Sequence, residues 1–379
     1  MSIPLLRYGF SGKNQKRLAA NDGATDALRS RARILICRTD NIGDVVLTLP
    51  LAGYLKQRWP GATVDFLCRP YAAPVVEQCR HVDHVLTFSA DKNRDQSGDN
   101  DAAAAAVFAD HAYDIVIFAF PDRRLAKAAR RAGVAERVGT SHRLFHWLTC
   151  NRLAHFNRSR SRLHEAQLNF ELLRPLGIAY APPLDAIASL YGLQAPVVAA
   201  ATALRACAPF NVILHPKSNG NGREWPLAHY EALARQLQEL PGVAVWITGS
   251  AAEGALIQRE APGLLALPHV RDLCGTVDLA GLTALIGVAD GLVASGTGPL
   301  HVAAALGRPA LGLFPPIQPI DIARWGALGS AAQSLAAPTR CASCSGQASC
   351  ACMAAISVDA VAAVVLGWRS RAQAGGSPA

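Results

Sequence analysis

Three short segments of this 379-residue chain carry side chains that could act on a bound molecule. The run Thr39-Asp40-Asn41-Ile42-Gly43-Asp44 separates an apolar stretch from a helically spaced one. A carboxylate in such a turn can take a proton as a general base, or it can merely cap the helix that follows. Gly43 beside it permits positive φ or close backbone approach. The second segment runs from Leu214 to Pro226 and holds Lys217, Ser218, Gly220, Gly222 and Arg223. Such a loop can wrap a phosphate with backbone N–H groups while Lys217 or Arg223 supplies charge, although a plain solvent loop has the same composition. The third, Ala294-Ser295-Gly296-Thr297-Gly298-Pro299-Leu300-His301, is a small-residue turn with a proline well placed for a first helical turn. A helix N-terminus of this kind is an anion site, and His301 would lie near that first turn. A single histidine is more often structural, but the Gly-Thr-Gly beside it favours a diphosphate contact.

All three segments follow short apolar runs, which sets the elements that must position them. Ile34-Leu35-Ile36-Cys37 reads as a buried strand, and Val45, Val46, Leu49, Ala52, Leu55 and Trp59 carry helical spacing up to Pro60-Gly61. Strands are expected at 63–67, 85–88 and 115–118, with an acidic loop at 91–101 and helices between. Low charge and several prolines place an interdomain linker in 181–208. The alternation then resumes: a strand at 211–214, a helix at 227–239, strands at 243–247, 291–294 and 310–314, and a helix from Pro299 to Leu306. The class is therefore α/β, with parallel sheets covered on both faces. Ligands in such sheets bind beyond the carboxyl ends of strands, where the three segments fall.

Composition narrows the partners. The net charge is +9, and residues 1–200 hold 26 Lys/Arg against 18 Asp/Glu while the remainder holds 11 against 10. No nucleic-acid motif or interleaved aromatics accompany the basic residues, so nucleic acid is not expected. A phosphorylated membrane lipid fits better, and a solvated surface fits equally well on charge alone. Residues 120–165 hold eleven Lys/Arg and three acids, with Arg123, Arg124, Lys127, Arg130 and Arg131 on or beside one helix. No run is long enough for a membrane span, and no signal-peptide core precedes Lys13, so a soluble, cytoplasmic protein is expected. Cys37, Cys68, Cys79, Cys150, Cys207 and Cys274 read as small buried hydrophobes. Cys341, Cys344, Cys350 and Cys352 form a local cluster of zinc-ligand type, with free thiols or redox pairing as alternatives.

Gly43 to Pro50, His215-Pro216, Arg223-Glu224-Trp225-Pro226 and Thr297 to His301 together, in that order, resemble the signatures of the ADP-heptose:lipopolysaccharide heptosyltransferases, glycosyltransferase family 9. The resemblance spans about 33–365. It implies a GT-B architecture of two Rossmann-like domains facing a central cleft. Residues 1–31 would be a mobile leader, 32–190 the acceptor domain and 205–352 the nucleotide-sugar domain, with a C-terminal helix at 356–369 packing back on the first. It further implies inverting, metal-independent transfer of a heptose to a lipopolysaccharide core, with no cofactor required for catalysis.

Residue by residue, Asp44 would be the catalytic base. Arg223 would stand beside the diphosphate, and Thr297, Gly298 and His301 would form its binding turn. Glu253, four residues after Gly249, would contact the nucleoside, and Ser218 corresponds approximately to a hydroxyl donor. Several members have Asp where this chain has Gly296, so that sugar-hydroxyl contact is missing. Acceptor contacts would fall to Arg123, Arg124 and Lys127, and the enzyme would sit peripherally at the cytoplasmic face of the inner membrane. Other readings are a sugar transferase of O-antigen or capsule synthesis, a non-catalytic sugar-nucleotide or lipid binder, and a dinucleotide oxidoreductase. The last needs Gly-x-Gly-x-x-Gly after the first strand, where this chain has Gly43 alone.

Overall fold

The computed structural model describes residues 27–89, 99–109, 111–178, 182–218, 220, 222–340 and 350–375. Two six-stranded sheets dominate it. The first contains β1 (Arg33–Cys37), β2 (Thr63–Cys68), β3 (Val85–Thr87), β4 (Ile115–Phe118), β5 (Glu136–Thr140) and β6 (Arg152–Ala154) in the order β3-β2-β1-β4-β5-β6. The second contains β7 (Phe210–His215), β8 (Val243–Ile247), β9 (Val270–Asp272), β10 (Gly291–Ser295), β11 (Ala310–Phe314) and β12 (Ala332–Ala336) in the order β12-β11-β10-β7-β8-β9. All pairings are parallel, with Ile34 opposite Val64 and Ile115 in the first sheet and Val293 opposite Leu214 and Leu311 in the second. The central strands are apolar through their middles, Ile34–Cys37, Val212–Leu214 and Leu292–Ala294, because helices cover both faces. Each sheet reverses its strand order once, between β1 and β4 and between β7 and β10, and a crevice opens there at the carboxyl edge. This is the doubly wound, two-domain arrangement of GT-B glycosyltransferases.

The helical spacing over 45–59 resolves into two helices, Ile42–Val46 and Leu49–Arg58. Pro50 has no N–H to continue the first helix, so the chain restarts at Thr48. The carbonyl of Leu47, freed by the break, accepts from Asn169 Nδ2 at 3.0 Å, and Thr48 Oγ1 donates to Asp44 O at 2.8 Å. The acidic stretch also differs from expectation: the Ala-rich helix begins at Asp99. Residues 1–26 of the expected leader lie outside the described residues. Residues 27–29 form a helical turn, and Arg29 donates to Glu136 at 3.0 and 3.1 Å, so the fold begins before Arg33.

The C-terminal helix, Val358–Gly375, does not return to the first domain as expected. Its stripe of Val361, Ala362, Val365 and Trp368 joins the core of the second domain with Val212, Leu233 and Leu237. Gly291 makes room for the Trp368 ring, since a Cβ there would lie 2.2 Å from it. Gln236 Nε2 to Asp359 and Arg369 to Pro241 O, at 3.0 and 2.7 Å, tie both ends to the same domain.

The domains meet at other places. Helix Gly298–Ala305 packs on helix Ile42–Val46, and Leu300 and Val302 share one core with Val45 and Val46. His164 accepts from Ala166 N through Nδ1 at 3.2 Å, so its Nε2 donates across the interface to Gly326 O at 2.8 Å. A Cβ on Gly298 would fall 2.0 Å from Ile42 Cγ2, which leaves no room for any other residue at this crossing. Gly298→Ala is expected to cost roughly 1–3 kcal/mol by overpacking. Thermal unfolding should show that loss, and adding Ile42→Ala should recover part of it.

Candidate active site

The crevices of the two sheets face each other and enclose a cavity of about 540 Å³. Asn41, Gly43 and Asp44 enter it from the turn after β1, and Arg69 and Tyr71 from the turn after β2. Across from them stand Ser218 and Arg223 from the loop after β7, Glu253, the turn Gly296-Thr297-Gly298, and His301. Seven of the residues singled out in the sequence are thus brought together: Asp44, Ser218, Arg223, Glu253, Thr297, Gly298 and His301. Gly249 lies one step behind the wall, where a Cβ would sit 3.2 Å from Glu253 Oε2. The basic helix is elsewhere. Arg123 and Lys127 line a separate depression of the first domain, and Arg124 reaches toward Asp101 at 3.8 Å. Among the described residues these three therefore do not line the cavity, and the cation that does so from the first domain is Arg69.

Asp44 is the third residue of its helix, and Asn41 holds the N-cap position. Its carboxylate turns instead to Arg38, at the end of β1, and is 15% exposed, enough to be reached from the cavity. Arg38 is buried and also binds Asp40 at 2.7 Å and Glu165 and Asn169 at 3.3 and 3.2 Å. Glu165 in turn pairs with Arg158, and with Arg324 of the second domain at 2.6 Å. Three carboxylates and three guanidiniums thus share one buried network. Burial pushes the Asp44 carboxyl up to about 7, with repulsion from Asp40 and Glu165 adding to it and Arg38 opposing. Burial lowers Arg158 to about 10, so it stays a cation at neutral pH.

The opposite wall is organised to receive an anion. The Thr297 side chain makes no capping bond to helix Gly298–Ala305, so the positive end of that helix opens on the cavity. The Nε of Arg223 is buried without a hydrogen-bond partner. Lys217, by contrast, is committed to Glu224 at 2.6 Å, and the same carboxylate receives Ser218 N and Oγ at 2.9 and 3.1 Å. Ser218 shapes the loop as well as lining the site. Glu253 has a double position too, since it lines the cavity while its Oε2 accepts from Ser250 N at 2.7 Å as the acid of a capping box.

His301 packs against the turn that carries Asp44, 3.0 Å from where a Cβ on Gly43 would lie. The glycine serves close approach, and it does not have positive φ. Burial pushes His301 down to about 3, and its Nδ1 has no partner. The imidazole is therefore a neutral hydrogen-bonding group at pH 7, and the positive potential of this wall comes from Arg223 and the helix end. Gly296 meets Phe314: a Cβ at 296 would lie 2.7 Å from the ring, and Gly312 is packed as closely on its other edge.

Arg38, Asp40, Arg158, Glu165 and Arg324 were not singled out in the sequence, nor were Arg69 and Tyr71. A signal existed for Arg38 and Asp40, which flank the turn carrying Asp44. None existed for Glu165, 127 residues from Arg38. Of the cysteines, Cys207 is exposed and Cys274 half-buried rather than buried, while Cys37, Cys68, Cys79 and Cys150 are buried as expected. Cys341 and Cys344 lie outside the described residues, and Cys350 and Cys352 bring their sulfurs to 2.7 Å. Among the described residues no group of three or more metal-ligating side chains forms.

Comparison with known proteins agrees with this geometry. The sequence model of glycosyltransferase family 9 (heptosyltransferase) matches residues 110–352. A Haemophilus influenzae protein provisionally named a glycosyltransferase is 25% identical over 301 residues, covering 77% of this chain and 85% of its own. The E. coli ADP-heptose LPS heptosyltransferase II has a similar structure, with TM-score 0.67 and 20% identity, covering 90% of this chain and 99% of that one. A family 9 glycosyltransferase of Veillonella parvula gives TM-score 0.71 at 18% identity, covering 90% and 97%.

The raised pKa of Asp44 carries a consequence for stability. Its folded value near 7 exceeds that of an unfolded carboxyl, roughly 4, so ionising it in the folded state is unfavourable. Below pH 4 the group is protonated in both states and costs nothing. The cost accrues between about pH 4 and 7 and is complete above that. Asp44→Asn should therefore gain stability over the parent protein as pH rises through this window. Melting temperatures measured from pH 4 to 8 check this, and a difference independent of pH contradicts the assignment.

Proposed function

Because the chain belongs to glycosyltransferase family 9, the heptosyltransferases, we propose that it moves a heptose from ADP-heptose to a lipopolysaccharide core acceptor, with inversion and without a catalytic metal. The observation that carries the reading is a buried Asp44 carboxyl, poised near neutral pH, facing the unpartnered Arg223 and an open helix N-terminus across one cavity.

Asp44 accepts the proton of an acceptor hydroxyl as that oxygen bonds to the anomeric carbon. The bond from the anomeric carbon to the diphosphate oxygen breaks, and the departing ADP keeps the electron pair. A base works best with its pKa near the working pH, which is where burial puts Asp44. Arg38 aims the carboxylate. When the proton arrives, Arg38 keeps Asp40 and Glu165 as partners, so protonation leaves no unpaired buried cation. Arg223 and the helix N-terminus meet the growing charge of the diphosphate, and neutral His301 adds a hydrogen bond. Glu253 faces the nucleoside, while Arg69 and Tyr71 face the acceptor. A lipid-anchored acceptor places the enzyme at the cytoplasmic face of the inner membrane. No helix among the described residues is long and apolar enough to cross a membrane.

A second reading within the family is favoured by Phe314. Its ring fills the space beside Gly296, so no carboxylate reaches a sugar hydroxyl from that position. Transfer of a different sugar, in O-antigen or capsule synthesis, would fit such a wall. A panel of nucleotide sugars with truncated core acceptors separates the two: ADP release supports heptose, and UDP release without ADP overturns it.

Asp44→Asn is expected to lower transfer by at least about 10²-fold, with ADP affinity nearly unchanged. Equal loss of both removes Asp44 from the role of base. In the parent enzyme the rate at saturating substrate should rise with pH along a limb near 7, as the carboxyl loses its proton.

A further inference from the structure

The first domain carries a surface that transfer within the cleft does not use. Helix Leu144–Thr149 is inverted: His146 and Thr149 point inward, while Leu144, Trp147 and Leu148 are 85%, 57% and 73% exposed. On the inward side His146 Nδ1 bonds Thr140 O at 3.0 Å and Thr149 Oγ1 donates to Phe145 O at 2.7 Å, while His146 Nε2 is buried without a partner. The apolar outward face has no such partner. Beside it runs helix Arg123–Arg131, whose Leu125, Ala126, Ala128 and Ala129 are buried and whose cations face out. Arg123, Lys127, Arg130 and Arg131 line the depression of about 370 Å³ between the helices, floored by Phe145 and Leu148. Arg130 donates to Leu148 O and so ties the two helices into one surface. None of these four cations forms an ion pair among the described residues: of the acids beside the helix, Asp122 caps it through Arg124 N and Leu125 N, and Asp101 faces Arg124 at 3.8 Å.

We infer that this face docks the enzyme on an anionic lipid bilayer, with Leu144, Trp147 and Leu148 entering the interface and the rim of cations lying on the headgroups. Apolar side chains surrounded by unpaired cations complement such a surface, where apolar burial and attraction to anionic lipid act together. Trp147 is suited to the boundary, because its ring is wet on one side and its Nε1 is already satisfied by Ser141 O at 2.8 Å. Both helices leave the carboxyl edge of the first sheet, after β4 and β5, and that edge also carries Asp44 after β1. From there both helices run back toward the amino edge, so the docking face is the outer flank of the first domain. The inference refines the membrane contact proposed above, but its test depends on neither donor nor acceptor.

The full-length protein is sedimented with vesicles of phosphatidylcholine, with and without phosphatidylglycerol, at low and high salt. Binding should require the anionic lipid and weaken with salt. Leu144→Ser/Trp147→Ser/Leu148→Ser should lose most of the binding. Lys127→Glu/Arg131→Glu should weaken it by at least roughly fivefold per cation removed. Both variants change exposed or half-buried groups and should keep the parent melting temperature. Equal binding to neutral vesicles, or variants that sediment as the parent does, overturns the proposal. So does a shift from dimer to monomer in sedimentation velocity with vesicle binding unchanged, which would make the face a contact between copies. Transfer to a deacylated, water-soluble acceptor tests the proposed function separately and should be unaffected in both variants.

Discussion

The guanidinium of Arg38 is the group on which the cleft depends. It is buried at the end of β1 and bonds carboxylates from two separate parts of the chain, Asp40 and Asp44 from its own turn and Glu165 from the helix Glu165–Phe170. Burial works against its charge, yet those carboxylates raise it above its ordinary value, so it stays ionised at any physiological pH. Buried charges of this kind survive only when each has its counterpart, because removing one partner strands another in a low dielectric. The same network is a clasp between domains. Glu165 is held by Arg38 and Arg158 from its own side and by Arg324 from the other, so the network around Asp44 is joined to the second domain.

Close approach of backbone completes what the charges begin. Gly298 lets the helix Gly298–Ala305 press against Ile42, and Gly43 lets His301 reach the turn that carries Asp44. Gly222 performs a similar service inside the second domain, where a Cβ would lie 2.6 Å from Gly296 O. Together these contacts bring the carboxyl edges of two separate sheets within the span of one substrate pair. Charge is divided between the walls: the network around Asp44 is balanced within itself, while Arg223 and a helix end are left for an anion. Such a division suits a reaction in which one wall takes a proton and the other takes a leaving diphosphate.

Much of this was legible in the residues alone. Apolar runs of four or five residues between turn signals located most central strands, since those strands are buried on both faces and tolerate little else. The glycine and hydroxyl turns at their ends marked the cavity walls, because ligand sites of doubly wound sheets are set by topology. β5 and β6 were missed because Glu136, Arg137 and Arg152 interrupt their pattern toward one edge of the sheet, where only pairing shows them to be strands.

What the sequence determined by itself was the class of fold, the order of the motifs and the presence of a carboxylate at the end of β1, all of which rest on local patterns of period and turn chemistry. Tertiary structure decided the rest. Whether the Asp44 carboxylate turned toward its own helix or away from it depended on Arg38, and its raised pKa on burial, with Asp40 and the distant Glu165 adding to it. The C-terminal helix settled on the second domain because Gly291 leaves a slot for Trp368, a fit between two side chains that no periodicity encodes. The basic helix moved from acceptor ligand to outer surface for the same reason: its own spacing shows which side is apolar, and only packing shows what the other side faces.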